Sequence, residues 1–392
     1  MLRLYEIPIQ EKIFPYIPYI LLSLVTCVII YILYFKSKYK FWLNQVIHNK
    51  YDPRLWNKIG IITDKVKLTK YYEPLVYSTK WNLVETQKKE LLSMLITSYY
   101  KYYKDLDVNV GVKNMQSMFV GHNKSVYVSM YFKNALKKGK LIGGIISKPI
   151  EGRFHNNEMQ LYFWDYMCSN KDEKEEHFFK LMFTHYKRSR ESNITKYYLF
   201  RTSSQIEIAT SLVSYYSYLV SIKFFPKRIY SRCKNVQFVL IDSSNYRLIL
   251  ELYYKLYEVY NCFLHVNISQ LKKLLDSKEM YWSVILLNNK PIACYFFKQI
   301  HSRYNNNPVI SLIGSYQGTV SEELYLEGFY NSIILIYENY NYSNIVIDDL
   351  NQNKKILEDV KKYKVMERYK SYYYFYNYAH PGFYKEEVLM LI

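Results

Sequence analysis

The sequence predicts a mixed α/β (α+β) protein, built by duplicating one unit and preceded by a single transmembrane helix. Its hydrophobic periods give the same order twice: a helix, three strands, a second helix and a strand. The two copies are offset by ~150 residues, the mark of a repeated unit, although two unrelated αβ domains in succession give the same pattern. Ahead of both, an uncharged apolar run has the length of a bilayer span.

Residues 17–35 read IPYILLSLVTCVIIYILYF, with Tyr16 and Tyr34 near the ends, where aromatic rings prefer the membrane interface. The alternatives are a cleaved signal peptide and a buried helix. The run is longer than a signal core and no small-x-small cleavage site follows it, and no polar face interrupts it. Lys36, Lys38 and Lys40 follow the run, whereas Arg3 and Lys12 precede it together with Glu6 and Glu11. This basic excess predicts a single-pass membrane protein whose soluble part faces the cytosol. The sequons at Asn123 and Asn193 then carry no glycan.

In the first copy a helix is predicted over residues 87–104, with Leu91, Leu92, Leu95 and Tyr99 on one side. Strands follow at 125–132, 140–147 and 159–168, then a helix at 173–190 and a strand at 197–202. After Cys233 the order restarts with a helix at 246–260 and strands at 281–287, 292–300 and 309–314, then a helix at 322–340 and a strand at 345–348. Asn288-Asn289-Lys290 reads as a tight hairpin between two of these strands. The expected organisation is an anchor and juxtamembrane segment over 1–50, a first half over 51–225 and a second half over 226–392.

Half of the 392 residues are hydrophobic, enough for a large core. The chain has 47 Tyr against 11 Gly, a bias of AT-rich coding that weakens any functional reading of Tyr or Lys runs. A net charge of +19 favours polyanions, whether nucleic acid, an acidic membrane face or a nucleotide cofactor. The basic residues are spread along the whole chain without a basic arm or a nucleic-acid motif, which argues against nucleic acid as the partner. Cys27, Cys168, Cys233, Cys262 and Cys294 are far apart and read as reduced thiols. No H-x-x-x-H or H-E-x-x-H occurs among the eight histidines, so no metal site is expected.

Toward the C-terminus, Tyr373-Tyr374-Phe375-Tyr376-Asn377-Tyr378 is similar to the Y-Y-L-Y-N-W run of glycylpeptide N-myristoyltransferases. Pro381 follows at that family's spacing, and the apolar Val388-Leu389-Met390-Leu391-Ile392 resembles its last strand. Asn353-Lys354-Lys355-Ile356-Leu357-Glu358 resembles N-K-x-F-L-E, Leu55-Trp56-Asn57 resembles F-W-D, and Lys140-Leu141-Ile142-Gly143 resembles K-L-V-G. Asp165-Tyr166-Met167-Cys168-Ser169-Asn170 is similar to N-F-L-C-V-H, Leu199-Phe200-Arg201-Thr202-Ser203 to V-Y-T-A-G, and Tyr215-Tyr216 to a Y-W pair. These blocks keep their order from Arg54 to Ile392. The resemblance implies two GNAT-like acyltransferase folds in tandem, with acyl-CoA in the first half and peptide mainly in the second. The implied activity is transfer of a myristoyl or related acyl group from acyl-CoA to the N-terminal glycine of a protein.

Acyl transfer from a thioester to an amine needs donors for the developing oxyanion, a proton acceptor and partners for the cofactor phosphates. The resemblance assigns the donors to the backbone N–H groups of Tyr166 and Met167, each worth roughly 3–4 kcal/mol in comparable holes. The base is the terminal carboxylate, here that of Ile392. Asp165 and Thr202 would place the amine, Thr202 after a one-residue shift of the alignment. Trp56, Ser169, Lys171, Lys174 and His177 fall on the acyl-CoA side. Read without the family, Tyr166 and Met167 belong to a plain buried strand, Asp165 to a turn and Ile392 to a last strand.

Three stretches depart from the family. Lys174-Glu175-Glu176-His177, after Asp172 and Glu173, stands where the family has basic R-S-K-R. Tyr100-Lys101-Tyr102-Tyr103-Lys104 replaces the acidic V-E-D-D-D, and Lys364-Val365-Met366-Glu367-Arg368 replaces G-x-G-D-G. An inactive relative with a binding or structural role is therefore the second expectation.

Overall fold

The computed structural model describes residues 17–84, 87–96, 106–108, 118–137, 139–155, 157–170, 172–226, 235–242 and 244–392. Tyr16, Tyr99, the 100–104 stretch, Lys171 and Cys233 lie outside them. The chain divides into two compact units, Met1–Gln45 and Val46–Ile392. In the first, helix α1 (Ile17–Lys38) is 22 residues long, about 33 Å at the usual helical rise. That length matches a bilayer's hydrocarbon core. Thr26 satisfies its hydroxyl within the helix by donating to the Leu22 carbonyl at 2.8 Å. Lys36 and Lys38 occupy the last turn, where cations complement the helix dipole.

The second unit begins with β1 (Gly60–Ile61), β2 (Val76–Lys80), α2 (Lys88–Met94) and β3 (Leu106–Val108). The first copy of the repeat follows: β4 (Tyr127–Lys133), β5 (Lys140–Phe154), β6 (Asn157–Ser169), α3 (Glu175–Glu191) and β7 (Tyr198–Thr202). Next come β8 (Val213–Ser221), β9 (Val236–Ile241), α4 (Arg247–Val259), β10 (Cys262–His265) and α5 (Ile268–Asp276). The second copy is β11 (Met280–Leu287), β12 (Lys290–Tyr304), β13 (Asn307–Tyr316), α6 (Glu322–Tyr340) and β14 (Asn344–Asp348). The chain then adds α7 (Asn353–Val360), β15 (Val365–Tyr376), β16 (Tyr378–Ala379) and β17 (Val388–Leu391).

Each copy is an antiparallel meander whose third strand returns through a helix to a parallel partner. β4, β5 and β6 pair in sequence and β6 runs parallel to β7; β11, β12 and β13 repeat this with β14. The copies then exchange strands. β8 leaves the first copy to pair with β14, and β15 leaves the second to pair with β7. β8 and β15 pair with each other, closing both copies into one 15-stranded sheet.

Local chemistry explains several joints. Asn288 and Asn289 adopt φ of 49° and 62°, the two left-handed residues of a tight hairpin between β11 and β12. Asn305 and Asn306 form the same turn before β13. Asn267 caps α5 by accepting from the Gln270 amide at 3.0 Å, and Ser321 caps α6 by accepting from the Leu324 amide at 3.3 Å. His185 fixes α3 to the sheet through the hydroxyls of Ser129 and Ser147, at 2.7 and 2.5 Å. Burial pushes that histidine down to about 3, so it is a neutral strut.

Of the helix predicted over 87–104, the described residues carry α2 (Lys88–Met94), and 97–104 lie outside them. One expectation needs correcting. The strand predicted over 140–147 continues to Phe154, because 148–154 mixes Lys, Pro, Glu, Gly and Arg with apolar residues and hides its period.

Candidate active site

The site starts from an irregularity in β6. Gly144 pairs with Cys168 and Ile146 with Asp165, so Tyr166 and Met167 together oppose Ile145 alone. This is a β-bulge, a device that re-aims backbone groups. Tyr166 sits at φ 51°, in the left-handed region. That conformation costs a non-glycine residue about 1–3 kcal/mol. Burial of its ring, 4% exposed and 5.6 Å from Phe119, holds it there. The pairing of β6 with β7 stops at Trp164 with Phe200, so the strands part beside the bulge. The second copy repeats this device in reduced form. Phe296 pairs with Gly314 and Phe297 with Leu312, leaving Ile313 unopposed, and β13 leaves β14 after Leu312.

Around the first bulge the fold gathers charges that sequence reading left out. Lys148 of β5 binds Asp165 at 2.6 Å with both side chains almost fully buried. Asp165 also accepts from the Tyr166 amide at 2.9 Å. Burial raises the Asp165 carboxyl, but the Lys148 and Lys298 ammoniums and these hydrogen bonds outweigh it and hold it below the usual carboxylate range. Lys298 of β12 donates to the main-chain oxygen of Ile392 at 2.7 Å. Burial, then the nearby Lys148 charge, brings Lys298 down to about 8. Asp348 of β14 accepts from the Ser217 hydroxyl at 2.5 Å, and burial raises its carboxyl despite the opposing charges of Arg201 and Lys298.

A small cavity lies beside these groups. Lys148, Lys298, His122, Gln270, Glu279 and Ile392 contribute to its wall. Ile392 is set there by β17, which runs parallel to β10 with Leu391 opposite His265. The closure depends on Gly314, where a Cβ atom would stand 2.4 Å from Leu389 Cδ1.

The structure brings Asp165, Tyr166, Met167 and Ile392 into one region and leaves others apart. Thr202 donates to the Ser204 carbonyl at 2.7 Å. By strand alternation it shares a face with Phe200, so the β7 residue directed to the charged cluster is Arg201. Arg201 also donates to Ser371 Oγ at 2.9 Å. Trp56 is 59% exposed and its indole donates to the Lys50 carbonyl at 2.8 Å. Ser169 ends β6 opposite Gly143. Lys174 is the exposed residue preceding α3, followed by Glu175 and Glu176 in the first turn. His177 pairs with Glu173 at 2.8 Å, and Lys180 lies between Glu73 and Glu176 at 3.5 and 3.6 Å. The start of α3 is therefore acidic, with His177 and Lys180 engaged by glutamates. The signal for Lys148 and Lys298 was present in the sequence as single charges inside apolar strand runs.

An α/β unit that opens between parallel strands beside a bulge is thus present twice in Val46–Ile392. Among solved structures the chain is similar to Saccharomyces cerevisiae N-myristoyltransferase with bound myristoyl-CoA. One such structure gives a TM-score of 0.68 at 11% identity over 88% of this chain and 94% of that one. Another gives 0.68 at 12% identity over 89% and 90%. The chain thus has the N-myristoyltransferase fold. No protein-family model and no curated protein matches its sequence.

Proposed function

We propose that the protein is a membrane-anchored N-acyltransferase that moves a myristoyl or related acyl group from acyl-CoA to the N-terminal glycine amine of a peptide. The observation that carries this reading is the β6 bulge at Tyr166 and Met167 in the same charged region as Ile392. The thioester carbonyl would lie at the bulge, where backbone N–H groups meet the oxyanion. Met167 has no residue of its own opposite it in the β5 register, whereas the Tyr166 amide must first be released by Asp165. The amine attacks the carbonyl carbon, the carbon–sulfur bond breaks, and coenzyme A leaves as the thiol. The carboxylate of Ile392 takes a proton from the nitrogen. Residues 51–225 would hold acyl-CoA and 226–392 the peptide.

The phosphates would meet the helix-start amides together with Lys171 and Lys174, with Ser169, His177 and Trp56 alongside. Isothermal calorimetry of the full chain in detergent should detect myristoyl-CoA. Lys171→Glu with Lys174→Glu should weaken the binding, and added salt should weaken it further. The acidic start of α3 favours one competing reading, an inactive relative that binds or builds at the membrane. An unmutated chain that takes up no myristoyl-CoA decides for it.

The anchor follows the same reading. α1 would cross the membrane once and leave Val46–Ile392 in the cytosol, since the basic residues follow the helix. Protease added to the cytosolic face of sealed membranes should digest that unit. Full protection, or glycan on Asn123 or Asn193, contradicts the orientation.

A further inference from the structure

Turning an ammonium into an amide removes two protons from the same nitrogen. The first must leave before the lone pair can attack, and the second leaves once the new carbon–nitrogen bond has formed. The carboxyl group of Ile392 can take one, and its oxygen already accepts from Lys298. Asp165 is engaged by Lys148 and by the Tyr166 amide. One further carboxylate lines the same cavity, that of Glu279.

Glu279 is 1% exposed. Its Oε2 accepts from His301 Nε2 at 2.6 Å, while its buried Oε1 has no hydrogen-bond partner among the described residues. A buried carboxylate oxygen without a partner is costly unless a cation or a donor comes to it. The backbone holds the residue firmly at the junction of α5 and β11. The Glu279 amide donates to the Leu274 carbonyl and its carbonyl accepts from Gln299, both at 2.9 Å. His301 is itself specially placed, at φ 50° in a register shift of β12 between Gln299 and Arg303. Bulged residues of this kind redirect a side chain, and here the redirected imidazole meets Glu279.

We propose that Glu279, backed by His301, receives the acceptor's ammonium and takes its first proton, with Ile392 taking the second. This rests on the acyltransferase reading of the site. The proton passes from nitrogen to Glu279 Oε1 and the freed lone pair attacks the thioester carbonyl. After the carbon–sulfur bond breaks, one proton goes to the coenzyme A sulfur and the other to solvent. The ligand class is a primary ammonium of a chain terminus. His122, brought down to about 4 chiefly by burial, stays neutral and does not compete for Glu279, whereas Lys298 and Lys148 are held by Ile392 and Asp165.

The test uses the full chain in detergent, saturated with a thioether analogue of myristoyl-CoA that cannot transfer. Two peptides are titrated by calorimetry, one starting with a free glycine and one with the same glycine N-acetylated. The unmutated chain should prefer the free amine by about tenfold or more, the scale of a hydrogen bond to a charged group. Glu279→Gln keeps the shape of the side chain and should abolish this preference while leaving affinity for the analogue unchanged. His301→Gln should reduce the preference by a smaller factor, and it decides the matter if Glu279→Gln does not fold. A preference that survives Glu279→Gln, or is untouched by His301→Gln, overturns the proposal. So does an unmutated chain that shows no preference. Binding of the analogue reports separately on the acyltransferase reading, so failure of one is not mistaken for failure of the other.

Discussion

Appending Gly-Gly after Ile392 is expected to lower acyl transfer to a glycine-started peptide by about 10²–10⁴-fold, the range that general-base catalysis supplies. Affinity for myristoyl-CoA should hardly change. A proton acceptor must come within roughly 3 Å of its proton, and two added residues replace the carboxylate with a peptide bond and carry the charge several ångström away. The side chains of β17 are untouched: Val388, Leu389, Met390 and Leu391 stay buried beside β10. Extension is therefore a cleaner test than deletion, which would also remove buried apolar surface. Transfer by the extended chain at the unmodified rate would falsify the role given to Ile392 and leave β17 a structural strand.

Replacing Asp165 by Asn is expected to destabilise Val46–Ile392 by about 3–5 kcal/mol, the cost of breaking one side of a buried ion pair. The partner left behind is Lys148, 6% exposed, in a region that also holds Lys298 and Arg201. Adding Lys148→Met to Asp165→Asn should restore most of the loss, because an apolar pair of similar volume is often as stable as a buried ionic one. Urea unfolding of the single and double variants measures both effects. The folded Asp165 carboxyl lies below its unfolded range. Its contribution is therefore complete above the ordinary carboxylate value near ~3.9 and is lost as pH falls through the lower folded value. The gap between unmutated chain and Asp165→Asn should narrow over that acid window. A double variant no more stable than the single one contradicts the pairing.

Features set by neighbouring residues are legible in the sequence. Asn288-Asn289 declared its turn because two adjacent residues that tolerate left-handed backbone fit few other structures. The meanders and their helices declared themselves through apolar periods, each confined to one element. β10 and α5 escaped notice, being four and nine residues long between two stronger signals. Thr202 stands next to Arg201, and in a strand one residue decides the face.

The sequence by itself determined an apolar helix of membrane-spanning length, two copies of an α/β unit and the strand that carries Tyr166 and Met167. These follow from composition and period, which are properties of neighbouring residues. Only the tertiary structure decided that β8 and β15 change places, that β17 closes against Gly314, and that Lys148, Glu279, Lys298 and Ile392 line one cavity, with Asp165 bound to Lys148. Those five residues come from β5, β6, the junction of α5 and β11, β12 and the position after β17. Strand pairing across such separations is chosen by burial of whole faces and by register, and neither leaves a trace in any one window of sequence.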